Sequence, residues 1–407
     1  IILMSYIEKI NTNGKGIMEK VREAHRKEYG VEPDVIAVAP GRFHLAGEHT
    51  WFFKDKTLSM AVNLPVYVSA SLREDTSFKF YFVQLEDEKH TNLSSLKLKK
   101  EDKWANSIKS ILYGFYSGGF ELKGIDFTIY SEILPSAGFG ITTAVKVASC
   151  WAIRELCGLK CSQDQILQVI ERANKNFLGT ANHSADSFAA IFSKENNLVL
   201  TDYAKKSCEL VPFNFKEKTV LLTDALVPRI VTWNEDSLMQ PENVLLLGEL
   251  KERKANVSGG WQYEEDKAEV NEVLSVVSED TKRRLLCVMN EHKCVLDCVN
   301  AIQKYDFSSF ARSVNRSHQN MRDYDISCPE IDWILKRVHE LDENLDDLRN
   351  PVNCGRITGK GFGRGIYTIL RNSDVGKYKE KLEEYEKIFG FSPKCYSVKP
   401  ANGVRLI

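Results

Sequence analysis

Residues 39–53 read APGRFHLAGEHTWFF and set Arg42, Glu48 and His49 on one short segment that follows an apolar run. An arginine, a glutamate and a histidine in this pattern point to a small-molecule site. An ordinary turn with incidental charges fits the segment equally well when it is taken alone. The interpretation therefore depends on two later segments that contain glycine.

The length and composition indicate a globular protein with two domains. A chain of 407 residues exceeds the size at which one hydrophobic core usually stops growing. Its 43% hydrophobic and 27% charged residues are typical of an ordinary soluble protein. The sequence pattern changes near Tyr203. We therefore expect an N-terminal domain over residues 1–205 and a C-terminal domain over residues 206–407.

The net charge indicates which binding partners to expect, and the cysteines indicate the cellular compartment. Lys and Arg total 55 against 56 Asp and Glu, and the net charge of −1 predicts neither nucleic acid nor an anionic membrane as a partner. The ten cysteines form no CxxC pair, which favours small buried hydrophobic residues over a disulfide framework or a zinc site. No apolar run approaches the ~18 residues of a membrane span. We expect a cytoplasmic monomer.

Apolar periodicity predicts mixed helices and strands in the first half of the chain. Strands are predicted at residues 35–39, 58–72, 78–85 and 125–134, and helices at residues 16–30, 104–116, 143–156 and 163–177. The second half is predicted to contain a strand at residues 220–222, irregular polar sequence to about Tyr263, and a helical series to about Leu348. The chain then ends with strands at residues 365–370 and 395–398 around a helix over residues 375–388.

Residues 134–153, LPSAGFGITTAVKVASCWAI, lead from a strand through a turn that contains glycine into a helix. Gly138 and Gly140 would let the backbone approach a ligand, and N–H groups at a helix start face an anion. Thr142 or Thr143 could offer a hydroxyl to a metal ion. The segment is not a Walker loop, and a helix that is merely capped by Gly and Thr remains the alternative. Lys146 is expected on the surface.

Residues 354–370, CGRITGKGFGRGIYTIL, place several glycines ahead of a β-branched strand. Glycine at this density is costly in conformational entropy unless the backbone must pass close to something. One interpretation is a phosphate-side loop that packs against the other two segments. A flexible hairpin is the other, since glycine-rich strand starts also occur at bulges.

Taken together, in their order and separations, the three segments resemble the GHMP small-molecule kinases, and most closely the galactokinases. Residues 29–50, YGVEPDVIAVAPGRFHLAGEHT, look like the opening of that family. Residues 290–332 are similar to the galactokinase C-terminal helices and include the SH and SCPE signatures. The resemblance covers nearly the whole chain and implies a two-domain α+β fold with mixed sheets and an active site in the interdomain cleft.

The resemblance also implies an ATP-dependent sugar-1-kinase that uses Mg²⁺. Arg42 matches the family arginine that stabilises the transferring phosphoryl group, and Asp186 matches the catalytic carboxylate that polarises the sugar hydroxyl. Glu48 and His49 match ligands of the sugar hydroxyls, although either could be a buried structural group. The residues that would contact ATP phosphates are Ala137, Gly138, Phe139, Gly140, Ile141, Thr142, Thr143, Gly359 and Gly361.

Several positions depart from the family pattern. Trp51 replaces an aspartate that binds galactose, so another sugar is possible as the substrate. Asn174 stands where the family has an acidic magnesium ligand, and with Thr142 it is the metal-ligand candidate here. Lys360 and Arg364 are added cations that either compensate weakened phosphate binding or are only solvated.

Two classes of function therefore remain open from the sequence. An active sugar kinase is favoured by the joint presence of Arg42 and Asp186. A sugar or nucleotide sensor of low or no activity is favoured by Asn174 and the altered phosphate loop. A mevalonate- or homoserine-type kinase fits less well, because the C-terminal signatures are similar to those of galactokinases.

Overall fold

The structure is a computed structural model that describes residues 14–49, 51–133, 137–228, 240–254, 268, 270–342, 349–359 and 364–407. The helices are α1 Gly14–Tyr29, α2 Asn106–Tyr116, α3 Ile141–Leu156, α4 Gln163–Arg172, α5 Ser184–Phe192, α6 Pro241–Lys254, α7 Glu279–Gln303, α8 Phe307–Asp323, α9 Pro329–Glu340 and α10 Val375–Phe389. A π-helical turn, Ala173–Phe177, continues α4. Short 3-10 turns lie at Trp51–Phe53, Val83–Leu85, Leu93–Ser95, Lys100–Ala105, Leu274–Val276 and Asn372–Asp374.

The described strands form two sheets. They are β1 Val35–Ala46, β2 Lys56–Leu72, β3 Ser77–Phe82, β4 Asp87–Asn92, β5 Ile125–Ser131, β6 Asn197–Asp202, β7 Ser207–Pro212, β8 Lys218–Asp224, β9 Cys354–Ile357, β10 Gly365–Arg371, β11 Lys394–Val398 and β12 Arg405–Leu406. The first sheet has the order β12-β1-β2-β5-β3-β4, with β6 paired to β2 and β7 paired to β6. The second sheet has the order β11-β8-β10-β9.

Strand β1 is buried on both faces, which explains its nearly continuous apolar sequence. Ile36 and Val38 pack against Ile17 and Val21 of helix α1. The alternate side chains, at positions 35, 37 and 39, belong to the main core, which also contains apolar residues of α3. Because successive strand residues point to opposite faces, the two layers of helices bury both sets of side chains.

The second sheet joins the first through a shared core. Leu222 of β8 and Tyr367 of β10 belong to the same buried cluster as Phe43 and Leu45 of β1. The Tyr367 hydroxyl donates to the Leu45 carbonyl oxygen at 2.7 Å. The opposite face of this sheet packs on α9 and α10 through a second cluster that includes Ile366 and other apolar residues. The second sheet is therefore held directly against the strand that carries the first motif.

The α+β fold class with mixed sheets is confirmed. The division near residue 205 stays a prediction. Strands β7 and β12 follow that position in sequence yet pair within the first sheet. The chain therefore returns to its N-terminal sheet at its end.

Most predicted elements are present, with differences at their ends. Strand β1 continues to Ala46, beyond the predicted end at Ala39, so most of the first motif is strand. The region predicted as irregular contains helix α6, and strands β4, β6, β7, β9 and β12 were not predicted. All ten cysteines are free thiols, and six of them are buried, which agrees with the interpretation as small hydrophobic residues. Within the described ranges, no helix has the length and apolarity needed to cross a membrane.

Candidate active site

Strand β1 carries two of the polar side chains of the site. Arg42 and His44 are two residues apart and so point to the same face of the strand. The pairing of β1 with β2 shifts register between Pro40 and Gly41 and again between His44 and Ala46. Such irregularities bend a strand and re-aim its side chains. The polar part of the first motif thus occupies the irregular end of an otherwise regular buried strand.

The structure brings together Arg42 and Asp186, the two residues predicted to be catalytic. Arg42 Nε donates to Asp186 Oδ1 at 2.9 Å, and Arg42 Nη1 donates to the Gly138 carbonyl oxygen at 2.8 Å. Asp186 lies in the first turn of α5, where the helix dipole favours a negative charge. Their side chains are 12% and 18% exposed, so the pair sits at the edge of solvent and can be reached by a substrate.

His44 is a third member of this group and was not predicted from the sequence. Its Nε2 lies 2.9 Å from Asp186 Oδ1 and its Nδ1 lies 2.8 Å from Ser59 Oγ. Burial, together with the Arg42 charge, lowers the pKa of His44, so the ring is neutral. These partners assign the tautomer in which Nε2–H donates to Asp186 and Nδ1 accepts from Ser59. The two-residue spacing from Arg42 was the signal that could have found it.

Asp186 is held as a carboxylate. Burial by itself would raise the pKa of Asp186, but the Arg42 charge and the His44 hydrogen bond outweigh burial and hold the pKa well below its ordinary value. Both donors bind the same oxygen, Oδ1. Within the described residues, Oδ2 has no hydrogen-bond partner, so it is the oxygen that can accept a bond from a substrate.

The predicted phosphate loop leads directly into helix α3. Gly138 and Gly140 have φ angles of +87° and +84°, a left-handed conformation in which glycine is strongly favoured. A Cβ at Gly140 would stand 3.1 Å from Arg42 Cγ. The Arg42 N–H donates to the Phe139 carbonyl oxygen at 2.9 Å. These contacts hold the loop against strand β1. The N–H groups in the first turn of α3, at residues 141–143, are suited to binding an anion.

The third motif packs against the other two, as predicted for a phosphate-side loop. A Cβ added at Gly138 would stand 3.6 Å from Gly359 Cα. The Thr358 hydroxyl lies 3.4 Å from both the N–H and the carbonyl oxygen of His44. Gly361 and Lys360 lie outside the described residues. Arg364 forms an ion pair with Asp224, and its Nε donates to Asp224 Oδ1 at 2.9 Å.

Glu48, predicted to be a sugar ligand, lies in a buried network centred on Arg356. Glu48 Oε2 accepts from Arg356 Nη1 at 2.8 Å, and Glu48 Oε1 accepts from the Gly359 N–H at 3.0 Å. The fully buried Arg356 also donates to Glu291 Oε1 at 3.0 Å and to Ser317 Oγ at 2.6 Å. Both Glu48 oxygens therefore hold structural bonds, which favours the alternative of a buried structural group. Sequence analysis did not single out Arg356.

His49 and Trp51 each lie beside another ring, His49 beside Tyr324 and Trp51 beside His183. The His49 side chain is 2% exposed, and its Nε2 lies 3.8 Å from Glu48 Oε1. The Trp51 ring meets the His183 ring edge-on, with 4.7 Å between ring centroids. His183 is the residue that precedes α5, and its charge contributes to the low pKa of Asp186. Trp51 therefore lies close to the start of the helix that carries Asp186.

The side chain of Asn174, one of the two residues predicted to hold magnesium, is engaged by other side chains. Asn174 Oδ1 accepts from Lys146 Nζ at 2.5 Å, and Asn174 Nδ2 donates to Asn182 Oδ1 at 2.8 Å. The ammonium group thus occupies the oxygen that a cation would need. Lys146 is 7% exposed, so its predicted surface position is wrong. Across the described ranges, no cluster of three or more His, Cys, Asp or Glu side chains could hold a metal ion.

Comparison with known proteins agrees with this geometry. Residues 23–72 match the family model described as the galactokinase galactose-binding signature, and residues 106–194 match the GHMP kinases N-terminal domain. A Treponema pallidum (strain Nichols) protein named "Putative galactokinase" is 38% identical over 96% of this chain and 97% of its own length. The galactokinase of Thermotoga maritima is 26% identical over 91% of this chain and 99% of its own length.

Solved structures share the fold. A Lactococcus lactis galactokinase, crystallised with galactose, superposes with a TM-score of 0.81 at 20% identity, covering 96% of this chain and 99% of its own. A Methanococcus jannaschii mevalonate kinase superposes with a TM-score of 0.60 at 15% identity, covering 90% and 98%. With the 38% relative aligned over almost its full length, the chain belongs to the galactokinase family of GHMP small-molecule kinases.

Proposed function

We propose that this sugar kinase transfers the γ-phosphoryl group of ATP to the anomeric hydroxyl of galactose or a related sugar. One observation carries the proposal: Asp186 accepts from Arg42 and His44 on Oδ1, and the same Arg42 donates to the Gly138 carbonyl oxygen of the predicted phosphate loop. Phosphoryl transfer needs mainly positioning and charge compensation from the protein, and this arrangement offers both.

The proposed roles follow from the contacts. Asp186 Oδ2 accepts a hydrogen bond from the sugar hydroxyl, whose oxygen forms the new bond to phosphorus while the bond to the ADP oxygen breaks. A carboxylate of such low pKa is a weak base, so we assign it to orienting the hydroxyl early in the transfer. The proton passes to Asp186 Oδ2 late, once the bond to phosphorus has made the hydroxyl oxygen acidic, and from Asp186 it goes to solvent. Arg42 lies between that carboxylate and the loop and compensates the charge on the phosphoryl oxygens.

The same proposal includes the sugar substrate, the source of the metal ion, the cellular compartment and the oligomeric state. Trp51 presents a ring and a single N–H donor in place of an acceptor, which favours a sugar that needs no acceptor there. We propose that magnesium arrives with ATP from solution, since Thr142 and Asn174 supply no carboxylate.

Ten free thiols support a cytoplasmic protein, and we propose a monomer. The sensor alternative is not favoured, because the catalytic pair is assembled and the relatives carry kinase names.

The test is ADP release across a panel of hexoses with ATP and magnesium. At least one sugar should be turned over, and Asp186→Asn should reduce kcat by about 10³-fold or more, because the amide keeps the shape but loses the charge. Calorimetric binding of ADP to the variant serves as the control for an intact site. Clear sugar or nucleotide binding without turnover of any sugar would instead establish the sensor.

A further inference from the structure

Glu48 connects the first motif to the start of the glycine loop in the third motif. Its Oε1 accepts from the Gly359 N–H at 3.0 Å, and its Oε2 accepts from Arg356 Nη1 at 2.8 Å. Arg356 Nη1 also donates to the Ile357 carbonyl oxygen at 2.7 Å, so the guanidinium group folds back on its own strand, β9. One carboxylate therefore holds two points of the short segment 356–359.

Gly359 is the residue that places the third motif against the predicted phosphate loop. Gly359 and Gly138 both have positive φ angles, +97° and +87°. A Cβ added to either glycine would stand 3.6 Å from the Cα of the other, so the two backbones pack with no side chain between them. The Gly138 carbonyl oxygen in turn accepts from Arg42 Nη1 at 2.8 Å. A change in the position of Gly359 would therefore act on the loop that Arg42 contacts.

The burial of Glu48 favours a role within the protein over contact with a sugar. Glu48 is 8% exposed and Arg356 is fully buried, which leaves little of the carboxylate for a ligand to reach. Breaking the pair would leave a buried charge uncompensated, which is strongly unfavourable. We therefore expect Glu48 to keep its bonds to Arg356 and Gly359 when substrates bind.

We propose that Glu48 is a positioning residue for the nucleotide phosphates, which holds Gly359 against Gly138, and that it is not a ligand of the sugar. The inference rests on the proposed use of ATP. The bond from the Gly359 N–H to a carboxylate is a charge-assisted hydrogen bond, which is stronger than a bond between neutral groups. Glu48 thus acts on the phosphate side of the reaction, although it lies in the motif expected to bind the sugar.

Glu48→Gln separates the two bonds. Glutamine keeps one oxygen acceptor and gains an NH₂ donor. Because bonds to a charged donor are the stronger ones, Arg356 keeps the oxygen, and the NH₂ group then faces the Gly359 N–H and cannot accept from it. Calorimetric titration of the full chain should show ADP binding weakened by tenfold or more. KM for ATP should rise by a similar factor, and KM for the hexose that the activity panel identifies should stay within twofold of the wild-type value.

Glu291→Gln is the matched control. Glu291 Oε1 accepts from Arg356 Nη2 at 3.0 Å and from the Gly47 N–H at 2.9 Å, so this variant also removes one carboxylate from the same buried cation. The described contacts of Glu291 do not include Gly359. Unfolding by urea should therefore show a loss of stability in both variants, and ADP affinity should stay within twofold of wild type in Glu291→Gln.

Hydrogen exchange of the wild-type protein, measured by mass spectrometry, tests the same inference if a variant does not fold. ADP should slow exchange in peptides that contain residues 354–359, because the nucleotide stabilises the contact between Gly359 and the phosphate loop. The hexose alone should not slow it. Bound ADP that leaves this exchange unchanged, or a hexose that slows it by itself, would count against the inference.

Two results with folded variants overturn the inference and leave the sugar kinase intact. One is a Glu48→Gln protein that binds ADP as well as the wild type does, or whose KM for the hexose rises as much as its KM for ATP. The other is an equal loss of ADP affinity in Glu48→Gln and Glu291→Gln, as a merely structural role would produce. Absence of ADP binding to the wild-type protein would overturn the proposed use of ATP together with this inference.

Discussion

Replacing His44 by leucine tests whether the neutral histidine keeps Asp186 ionised and oriented. A hydrogen bond to a charged group contributes about 1.5–3 kcal/mol, which corresponds to about 1–2 in the pKa of the carboxyl at 1.36 kcal/mol for each pKa unit. His44→Leu removes the 2.9 Å contact to Asp186 Oδ1. The pKa of Asp186 should therefore rise by about this amount, and Arg42 should still keep it below neutral.

The sign of the pH effect follows from the required charge. Asp186 must be ionised to accept the proton of the sugar hydroxyl, so activity is lost as pH falls through the pKa of Asp186. Raising that pKa moves the acid limb of kcat/KM upward by about 1–2 pH units. Near pH 7.5 the carboxylate stays ionised but is less well oriented, and we expect kcat to fall by about 10–100-fold. ADP release at pH 7.5 measures the fall in kcat. The acid limb is measured by quantifying ADP in quenched reactions, down to the lowest pH at which circular dichroism shows that the protein is folded.

The other groups near Asp186 are controlled in this experiment. His183, the residue that precedes the same helix, is present in every variant. Burial raises the pKa of Tyr203, which therefore stays protonated throughout. Leucine leaves the buried Ser59 hydroxyl without its acceptor, which costs free energy of folding. Ser59→Ala is therefore combined with His44→Leu to remove the unpaired hydroxyl. His44→Gln retains a donor of similar reach and should recover most of the wild-type acid limb.

One result would refute the reasoning. If His44→Leu lowers kcat equally at every pH and the acid limb stays in place, His44 only fills space and does not set the ionisation of Asp186. The same conclusion would follow if the leucine and glutamine variants had identical pH profiles.

Two further substitutions test the sugar pocket and the buried network. Trp51→Asp should raise galactose affinity, because it restores an acceptor; an unchanged calorimetric titration would remove Trp51 as the explanation of specificity. Arg356→Met should cost about 3–5 kcal/mol in the free energy of unfolding by urea, since it leaves two buried carboxylates without their cation. Arg283→Met breaks an exposed pair and should cost less than about 1 kcal/mol; equal losses in the two variants would contradict this account.

The sequence predicted well the features that depend on neighbouring residues. The apolar run at residues 35–39 predicted a strand because both faces of β1 are covered and no alternation with polar residues is needed. Gly138 and Gly140 were singled out for conformational freedom, and both have positive φ. The predicted start of the helix, Thr143, lies two residues after the observed start of α3 at Ile141, because the glycine turn marks the helix boundary.

Features that depend on distant residues were predicted only through the family resemblance, or not at all. Arg42 and Asp186 are 144 residues apart, and no local pattern joins them. His44 was not predicted as a site residue, because a single buried histidine is most often an ordinary core residue. Lys146 was placed at the surface because it is charged, although Val145 and Val147 beside it indicated a helix buried on most sides.

By itself the sequence determined several of the strands and the glycine turns, because backbone preference and burial pattern act over a few residues. The candidate pair Arg42 and Asp186 came from the family resemblance. Only the tertiary structure decided which polar groups share a site. It placed Glu48 on Arg356, His44 on Asp186 and Lys146 on Asn174. Such pairings arise because a buried charge or donor must be satisfied by whichever group the fold brings near it, however far away it lies in sequence.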